Sequence, residues 1–302
     1  MGVLVVGSVA LDSVKTPFGE VRDALGGAAT FFSVAAAYFT EVAMVAVVGS
    51  DFPEKHIDLL NSRGIDTSGL VVQNGETFRW SGVYGYDLND RDTLDTQLNV
   101  FETFRPEIPE RLRASEFVFL ANIDPELQLS VLEQVDEPRL VACDTMDFWI
   151  EGKREALRIL MEKVDIMMMN DAECRMLAGE PNLIKAARMV LDMGPKSIVV
   201  KKGEHGALLA DRDCFFSAPA YPCEDVFDPT GAGDSFAGGF MGYLARTRDV
   251  STASIRRAVI FGTVMASFCV EEFSVDGMTS LDQADIERRF RVLKELSHFE
   301  TE

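Results

Sequence analysis

The chain is short of positive charge: 29 lysines and arginines face 49 aspartates and glutamates over 302 residues, a formal net charge of −20. An acid excess of that size repels nucleic acid and anionic membrane, although local basic pockets can still hold a nucleotide. Long apolar runs are missing too. None reaches the roughly 18 residues that a membrane helix needs. The N-terminus passes straight into an apolar strand pattern with no basic leader or cleavage site. The expectation is a soluble, cytoplasmic protein. Its five cysteines, Cys143, Cys174, Cys214, Cys223 and Cys269, form no C-x-x-C pair, and reduced cytosolic thiols are the simplest account. There is no G-x-x-x-x-G-K-[ST], which removes a P-loop kinase. The first strand is followed by Gly7-Ser8-Val9-Ala10 and no glycine fingerprint, which removes a dinucleotide-dependent oxidoreductase. No fixed-period repeat, low-complexity stretch or linker divides the chain.

What is present is a 47% apolar chain, enough for a substantial core, with strand-length apolar runs alternating with helical patterns. Strands are predicted at 3–6, 43–48, 117–120, 140–142, 166–169 and 197–200. Helices are predicted at 28–39, 54–63, 126–134, 153–162 and 183–192, followed by a mainly helical last third at 235–246, 252–270 and 282–296. This order implies an α/β fold with a mostly parallel sheet covered by helices. Residues 71–103 break the alternation. Strand formers Thr77, Phe78, Trp80, Val83 and Tyr84, a polar tip at Asp87–Asp92 and the run from Leu94 to Phe104 read as an antiparallel hairpin.

The most informative segment is Asp228-Pro229-Thr230-Gly231-Ala232-Gly233-Asp234. Gly231 and Gly233 let the backbone turn its N–H groups toward one point, and a helix beginning near Gly233 adds the positive end of its dipole there. An anion fits at such a point. A carboxylate beside it makes a poor binding group and a good base, which is the reading for Asp234. The plain alternative is a turn capping a helix, with Asp234 as a favourable N-terminal charge.

The run from Asp228 to Phe240, with Ser235-Phe236-Ala237-Gly238-Gly239 carrying a small helix face suited to packing on a strand, resembles the C-terminal signature of the ribokinase family, also called the phosphofructokinase B family of sugar and nucleoside kinases. The resemblance covers nearly the whole chain. It implies one catalytic domain over residues 1–302, a three-layer αβα fold, and a small β lid formed by residues 10–25 and 71–104. A lid would exclude water from the activated phosphoryl group. The resemblance also implies ATP and Mg2+ as cofactors, and a monovalent cation in some relatives.

Site residues follow from the same resemblance. Asp12, after the first strand, matches the aspartate that accepts hydrogen bonds from substrate hydroxyls, and an ionised carboxylate suits two of them; a local backbone cap is the other reading. Gly26 and Gly27 match the first signature and would bring substrate against bare backbone. Asn170-Asp171-Ala172-Glu173 matches an Asn-x-x-Glu motif near the metal and phosphates, with Glu173 acting on Mg2+ through water; the spacing equally suits a helix cap. Lys201 and Gly203 lie where relatives touch the nucleotide phosphates, Lys201 standing where a hydroxyl residue is common, and Thr230 belongs to the same nucleotide set. Gly49–Asp51 and Gly64–Gly69 match segments that shape loops. Residues 262–277 match the segment flanking adenine.

One departure bears on substrate. Many relatives have an asparagine four residues after the second glycine, where this chain has Phe31. A phenylalanine cannot hydrogen-bond a hydroxyl, so either the substrate is less polar or Thr30 or a lid residue supplies the contact. An aromatic also suits stacking on a ring, which makes a nucleoside a competitor to a free sugar. Asn122, Asp124 and Asp144 follow strand ends and are further specificity candidates, while Phe148 and Trp149 read mainly as core. The expected activity is transfer of the ATP γ-phosphoryl group to a hydroxyl of a sugar, with Asp234 as base and Gly231, Ala232 and Gly233 as the catalytic cradle. The alternatives are a nucleoside kinase of the same family and a non-catalytic sugar or nucleotide sensor. The lid edge further suggests a homodimer.

Overall fold

Val3–Val6, the first apolar run, forms β1 and is buried on both faces. The structure, a computed structural model, describes residues 2–298 and 300. After β1 the chain forms β2 (Ala10–Thr16), β3 (Gly19–Gly26), α1 (Ala28–Ala36), β4 (Val42–Gly49), α2 (Glu54–Ser62), β5 (Ile65–Gln73), β6 (Arg79–Tyr84) and β7 (Arg91–Gln97). The middle holds β8 (Phe117–Leu120), α3 (Pro125–Leu132), β9 (Leu140–Asp144), α4 (Asp147–Gly152), α5 (Arg154–Met161), β10 (Ile166–Asn170), α6 (Asp171–Ala178) and α7 (Leu183–Leu191). The last part adds β11 (Ser197–Lys201), β12 (Ala207–Asp211), β13 (Phe215–Ala218), α8 (Ala232–Thr247), α9 (Thr252–Cys269) and α10 (Gln283–Leu296).

Nine strands make one sheet in the order β13-β12-β11-β10-β9-β8-β1-β4-β5, parallel from β11 through β5 and antiparallel at β12 and β13. Side chains alternate along each strand, so the sheet feeds two cores. Val3, Val5, Met44, Phe119 and Met168 pack on the side of α1, α8, α9 and α10, where Phe32 stacks on Phe119 with ring centroids 4.4 Å apart. Leu4, Val6, Val45, Leu120 and Met169 pack on the other side against Ile150, Leu157, Leu177 and Ala186. That is the expected three-layer α/β architecture. A second sheet of four strands, β3-β2-β6-β7, covers one end of it.

All the expected strands and helices of the body are present, within two or three residues at their ends. Several details differ from the sequence reading. Residues 65–73 form the edge strand β5, so Val71–Gln73 belong to the main sheet and not to the hairpin. Gly69 sits at the β4–β5 register shift, where a side chain would strike the Met44 carbonyl. The second hairpin strand stops at Gln97, and Asn99–Thr103 is a short 3-10 helix. β12, β13, α4 and α6 are additional elements. The small face of α8 meets helices, not a strand: Gly238 lies against α1 and Gly239 against α9. Phe148 is 62% exposed and no part of the core. All five cysteines are free thiols. Among the described residues, no helix is long and apolar enough to cross a membrane.

Candidate active site

The order of strands reverses between β8 and β1, and ligands of open α/β sheets gather in the crevice outside the carboxyl ends at such a switch point. Those ends carry the polar residues: Asn122 just beyond β8, Asp144 closing β9, Asn170 closing β10 and Lys201 closing β11. The 228–234 loop and the N-terminus of α8 face the same crevice.

Gly231 is the N-cap of the 16-residue α8 in left-handed backbone geometry, φ 76°. A side chain at Gly231 would place its first carbon 2.3 Å from the Phe31 ring, and one at Gly233 would come within 3.0 Å of the Lys201 ammonium. So the loop is bare backbone, floored by an aromatic ring and flanked by a cation. Lys201 Nζ donates to Asp144 Oδ2 at 2.6 Å. Burial works to lower the Lys201 pKa, but Asp144, Glu173 and Asp234 outweigh it and hold the ammonium above its ordinary value. Asp234 lies in the first turn of α8. Burial, then the neighbouring Asp144, pushes its pKa up to about 7, against the opposing pull of Lys201 and of Arg91 on β7.

Asp12 on β2 is 7% exposed. Burial raises its pKa to about 7, opposed by the Gly27 backbone N–H and reinforced by Asp228 and Asp234. Gly26 is required beside it, because a side chain there would fall 1.9 Å from Asp12 Oδ2. Asp228 accepts from the Thr230 N–H through Oδ1 at 2.9 Å, and burial raises its pKa against the Thr230 and Ser274 hydrogen bonds that favour its charge. Asn170 and Glu173 form a full capping box on α6, the Asn170 carbonyl oxygen accepting from the Glu173 N–H and the Glu173 carboxylate from the Asn170 N–H. Burial, then Asp144, lifts Glu173 to about 7. A half-buried carboxylate with one oxygen used and a strong tendency to protonate is a place that a hydrated divalent cation would relieve.

The structure thus brings Asp12, Phe31, Thr230, Gly231, Ala232, Gly233 and Asp234 together, with Lys201 and Glu173 alongside through Asp144. Other expectations change. Phe31 is 2% exposed with one ring face covered by Gly231, so it supports the loop and is not free to stack on a ligand from that side. Thr30 is wholly buried and supplies no substrate contact. Asn122 is oriented by Trp149, whose Nε1 donates to its Oδ1 at 3.0 Å. The side-chain position at Gly203 is filled by Asn89 Oδ1 from the β6–β7 turn. Val264, Phe268 and Val275 are core. A neighbouring concavity of about 420 Å³ beside Phe268 is lined by Glu271, Glu272, Asp276 and Asp285, a set that repels phosphate. Sequence reasoning missed Tyr84, whose hydroxyl accepts from Thr230 Oγ1 at 3.2 Å, and Arg91, its cross-strand neighbour.

A family model for pfkB family carbohydrate kinases matches residues 3–281. The chain belongs to that family. It is therefore a kinase, a phosphotransferase with a hydroxyl acceptor. Among relatives, it is 31% identical over 261 residues to the cytidine kinase of Thermococcus kodakarensis, covering 82% of this chain and 90% of that one. The fold matches the nucleoside kinase of Methanocaldococcus jannaschii with a TM-score of 0.78 at 22% identity, over 97% of this chain and 99% of the other. It also matches an E. coli protein described as a ribokinase II, in complex with ATP and Mg2+, with a TM-score of 0.77 at 20% identity over 96% and 99%.

Proposed function

We propose that this kinase transfers the γ-phosphoryl group of ATP to a ribose hydroxyl, the primary one, of a nucleoside. The observation that supports it is Asp234 at the N-terminus of α8, beside bare backbone and the Lys201 ammonium. Asp234 takes the proton of the attacking hydroxyl. A pKa near 7 suits that task, since the group is then both ionised often enough and basic enough. The amides of Ala232, Gly233 and Asp234 meet the charge that grows on the phosphoryl oxygens. Asp12 receives hydroxyls of the sugar ring, and Gly26 keeps the space in front of it open. Lys201 contributes a fixed positive charge and Thr230 and Gly203 shape the phosphate side. When bound, ATP supplies the phosphoryl group and Mg2+ neutralises the phosphate charge. Asn170 and Glu173 would hold Mg2+ through water. A monovalent cation would find one ligand in the buried Asp228 carboxylate, whose charge burial disfavours.

A nucleoside takes precedence over the free sugar because the relative quoted above at 31% identity is a cytidine kinase. An assay of ADP release against cytidine, the other common nucleosides, ribose and hexoses tests this. Turnover on nucleosides, with phosphate at the primary hydroxyl by NMR, is expected. Turnover on sugars alone would return the reading to a sugar kinase. The lid's edge strands β3 and β7 are both open, and we place the homodimer contact there; sedimentation at low micromolar concentration tests it.

A further inference from the structure

We propose that the Trp80 indole is the platform on which the base of the nucleoside stacks. This rests on the nucleoside reading above and adds a residue that recognises the substrate class. The placement follows from strand register. β2 and β6 run parallel with Asp12 opposite Trp80 and Val14 opposite Gly82, and residues in register across a parallel pair share a face of the sheet. Two residues on, Tyr84 lies on that face too. The face looks into the crevice, because Tyr84 meets Thr230 of the anion loop and Asp12 lies within electrostatic reach of Asp234.

The ring has a built seat. Gly82 has no side chain, and a first carbon there would fall 2.3 Å from Trp80 Cη2 and 2.5 Å from Cζ2. The indole therefore lies down along the strand over Gly82. Its Nε1 donates to Thr93 Oγ1 at 3.3 Å, and Thr93 is the cross-strand partner of Gly82 on β7. Glycine below and a hydrogen bond at one edge fix the plane of the ring. Among the described residues, no aromatic ring stacks on its other face.

The surroundings differ on the two sides of Asp12. Toward β3 the space beside Asp12, lined by Val14, Val21, Ala24, Leu25 and Phe31, is too tight to admit even a water. Toward β7 it is open: Trp80 is half-buried, and Thr93 and Thr96 are exposed. A ribose whose hydroxyls reach Asp12 can extend its attached ring only toward the open side, and one strand spacing of about 4.8 Å leads there to Trp80. Stacking on an indole rewards a flat π-face and little else. It separates nucleosides from free sugars and leaves the identity of the base to other groups.

The test is steady-state kinetics of Trp80→Ala and Trp80→Phe with cytidine and with ribose. Loss of the stack is expected to raise KM for the nucleoside about 5-fold to about 100-fold, the range found when a base-stacking aromatic is removed. Phe is expected to restore most of it, and any turnover on ribose is expected to stay unchanged in both variants. As a check independent of turnover, Trp80 is one of only two tryptophans, so in a Trp149→Phe background it is the sole tryptophan and can be excited apart from the tyrosines. Cytidine without ATP is then expected to quench the emission, and ribose to leave it unchanged. Unchanged nucleoside KM in Trp80→Ala, or no quenching, overturns the platform while the nucleoside reading stands. A wild-type enzyme that turns over ribose and no nucleoside overturns both. Should the Ala variant not fold, as circular dichroism would show, the Phe variant and the quenching decide.

Discussion

β4 and β7 are ribbons of similar length with opposite surroundings: all eight residues of β4 are buried, and all seven of β7 are exposed. α1 covers one face of β4 and the Asn99–Thr103 turn with Phe104 the other, which is why it reads Val-Ala-Met-Val-Ala-Val-Val-Gly. β7 reads Arg-Asp-Thr-Leu-Asp-Thr-Gln and lies at the open edge of the small sheet. Its sheet is tied down at the root, where Asp51 accepts from the Thr77 N–H and hydroxyl at 2.7 and 2.6 Å and from Arg79 at 2.7 Å. Beyond the root β6 meets the 228–234 loop through Tyr84 and Thr230, and the β2–β3 hairpin touches the body where Phe18 packs edge-on against Phe227. The large sheet therefore carries most of the apolar core, and we propose that the small sheet is a lid that closes over the bound substrate. Substitutions in the body should be read in folding or turnover, and substitutions in the lid in KM.

The strongest test on the body side is Asp234→Asn. Turnover is expected to fall by about 10²-fold to 10⁴-fold, the worth of one positioned base, while ATP binding persists. Stability should move the other way. In the native protein the Asp234 carboxyl titrates at about 7, against 3.8 for an ordinary aspartate, because burial and Asp144 disfavour its charge. The native state then binds more protons than the unfolded chain between those values, and stability falls as pH rises through that window. The asparagine variant escapes this loss. Calorimetry without ligand should show its Tm above wild type at pH 8, with the difference shrinking toward pH 4. A Tm below wild type at pH 8, or turnover near normal, would break the assignment.

A matched pair of apolar truncations sharpens the contrast. Phe32→Ala removes a buried ring stacked on Phe119 and is expected to cost about 3–5 kcal/mol in urea unfolding. Leu94→Ser on β7, 65% exposed, is expected to stay within about 0.5 kcal/mol of wild type. Similar costs at the two positions would end the division between body and lid. Next in size comes Lys201→Met. Lys201 lowers the pKa of Asp234, so its removal moves the acid limb of the pH–rate profile to higher pH. An unmoved limb would separate Lys201 from the base.

The contrast also explains what could be read in advance. Buried parallel strands announce themselves as continuous apolar runs, so β1, β4 and β8 to β11 were legible, as were the eight longer helices between and after them. β5 was not, because an edge strand is buried along one side only, and its Asp66-Thr67-Ser68-Gly69 reads as a loop. β13 escaped for the same reason, at the other edge of the sheet. The glycine loop, Asp234 and the Asn170–Glu173 cap are local in sequence and were visible. The Lys201–Asp144 pair joins residues 57 apart at the ends of two strands, β9 and β11, that both flank β10, and only the order of strands brings them together. Trp80 and Tyr84 were recognisable as strand residues, but their orientation needs the register against β2.

The smallest effect expected is at the lid's own latch. Tyr84→Phe removes one hydroxyl, accepting from Thr230 Oγ1 at 3.2 Å, and leaves the ring that packs between lid and loop. A neutral hydrogen bond contributes about 0.5–1.5 kcal/mol net. If the latch forms only when the lid is down, that amount weakens closure and raises KM for the acceptor about 2-fold to 10-fold, with kcat and Tm near wild type. Thr230→Val should repeat the KM change, and the double variant should add little to either single one, since both remove the same bond. A fall in Tm with no change in KM would mean that Tyr84 holds the fold and not the closed lid, and the lid would then belong with the body.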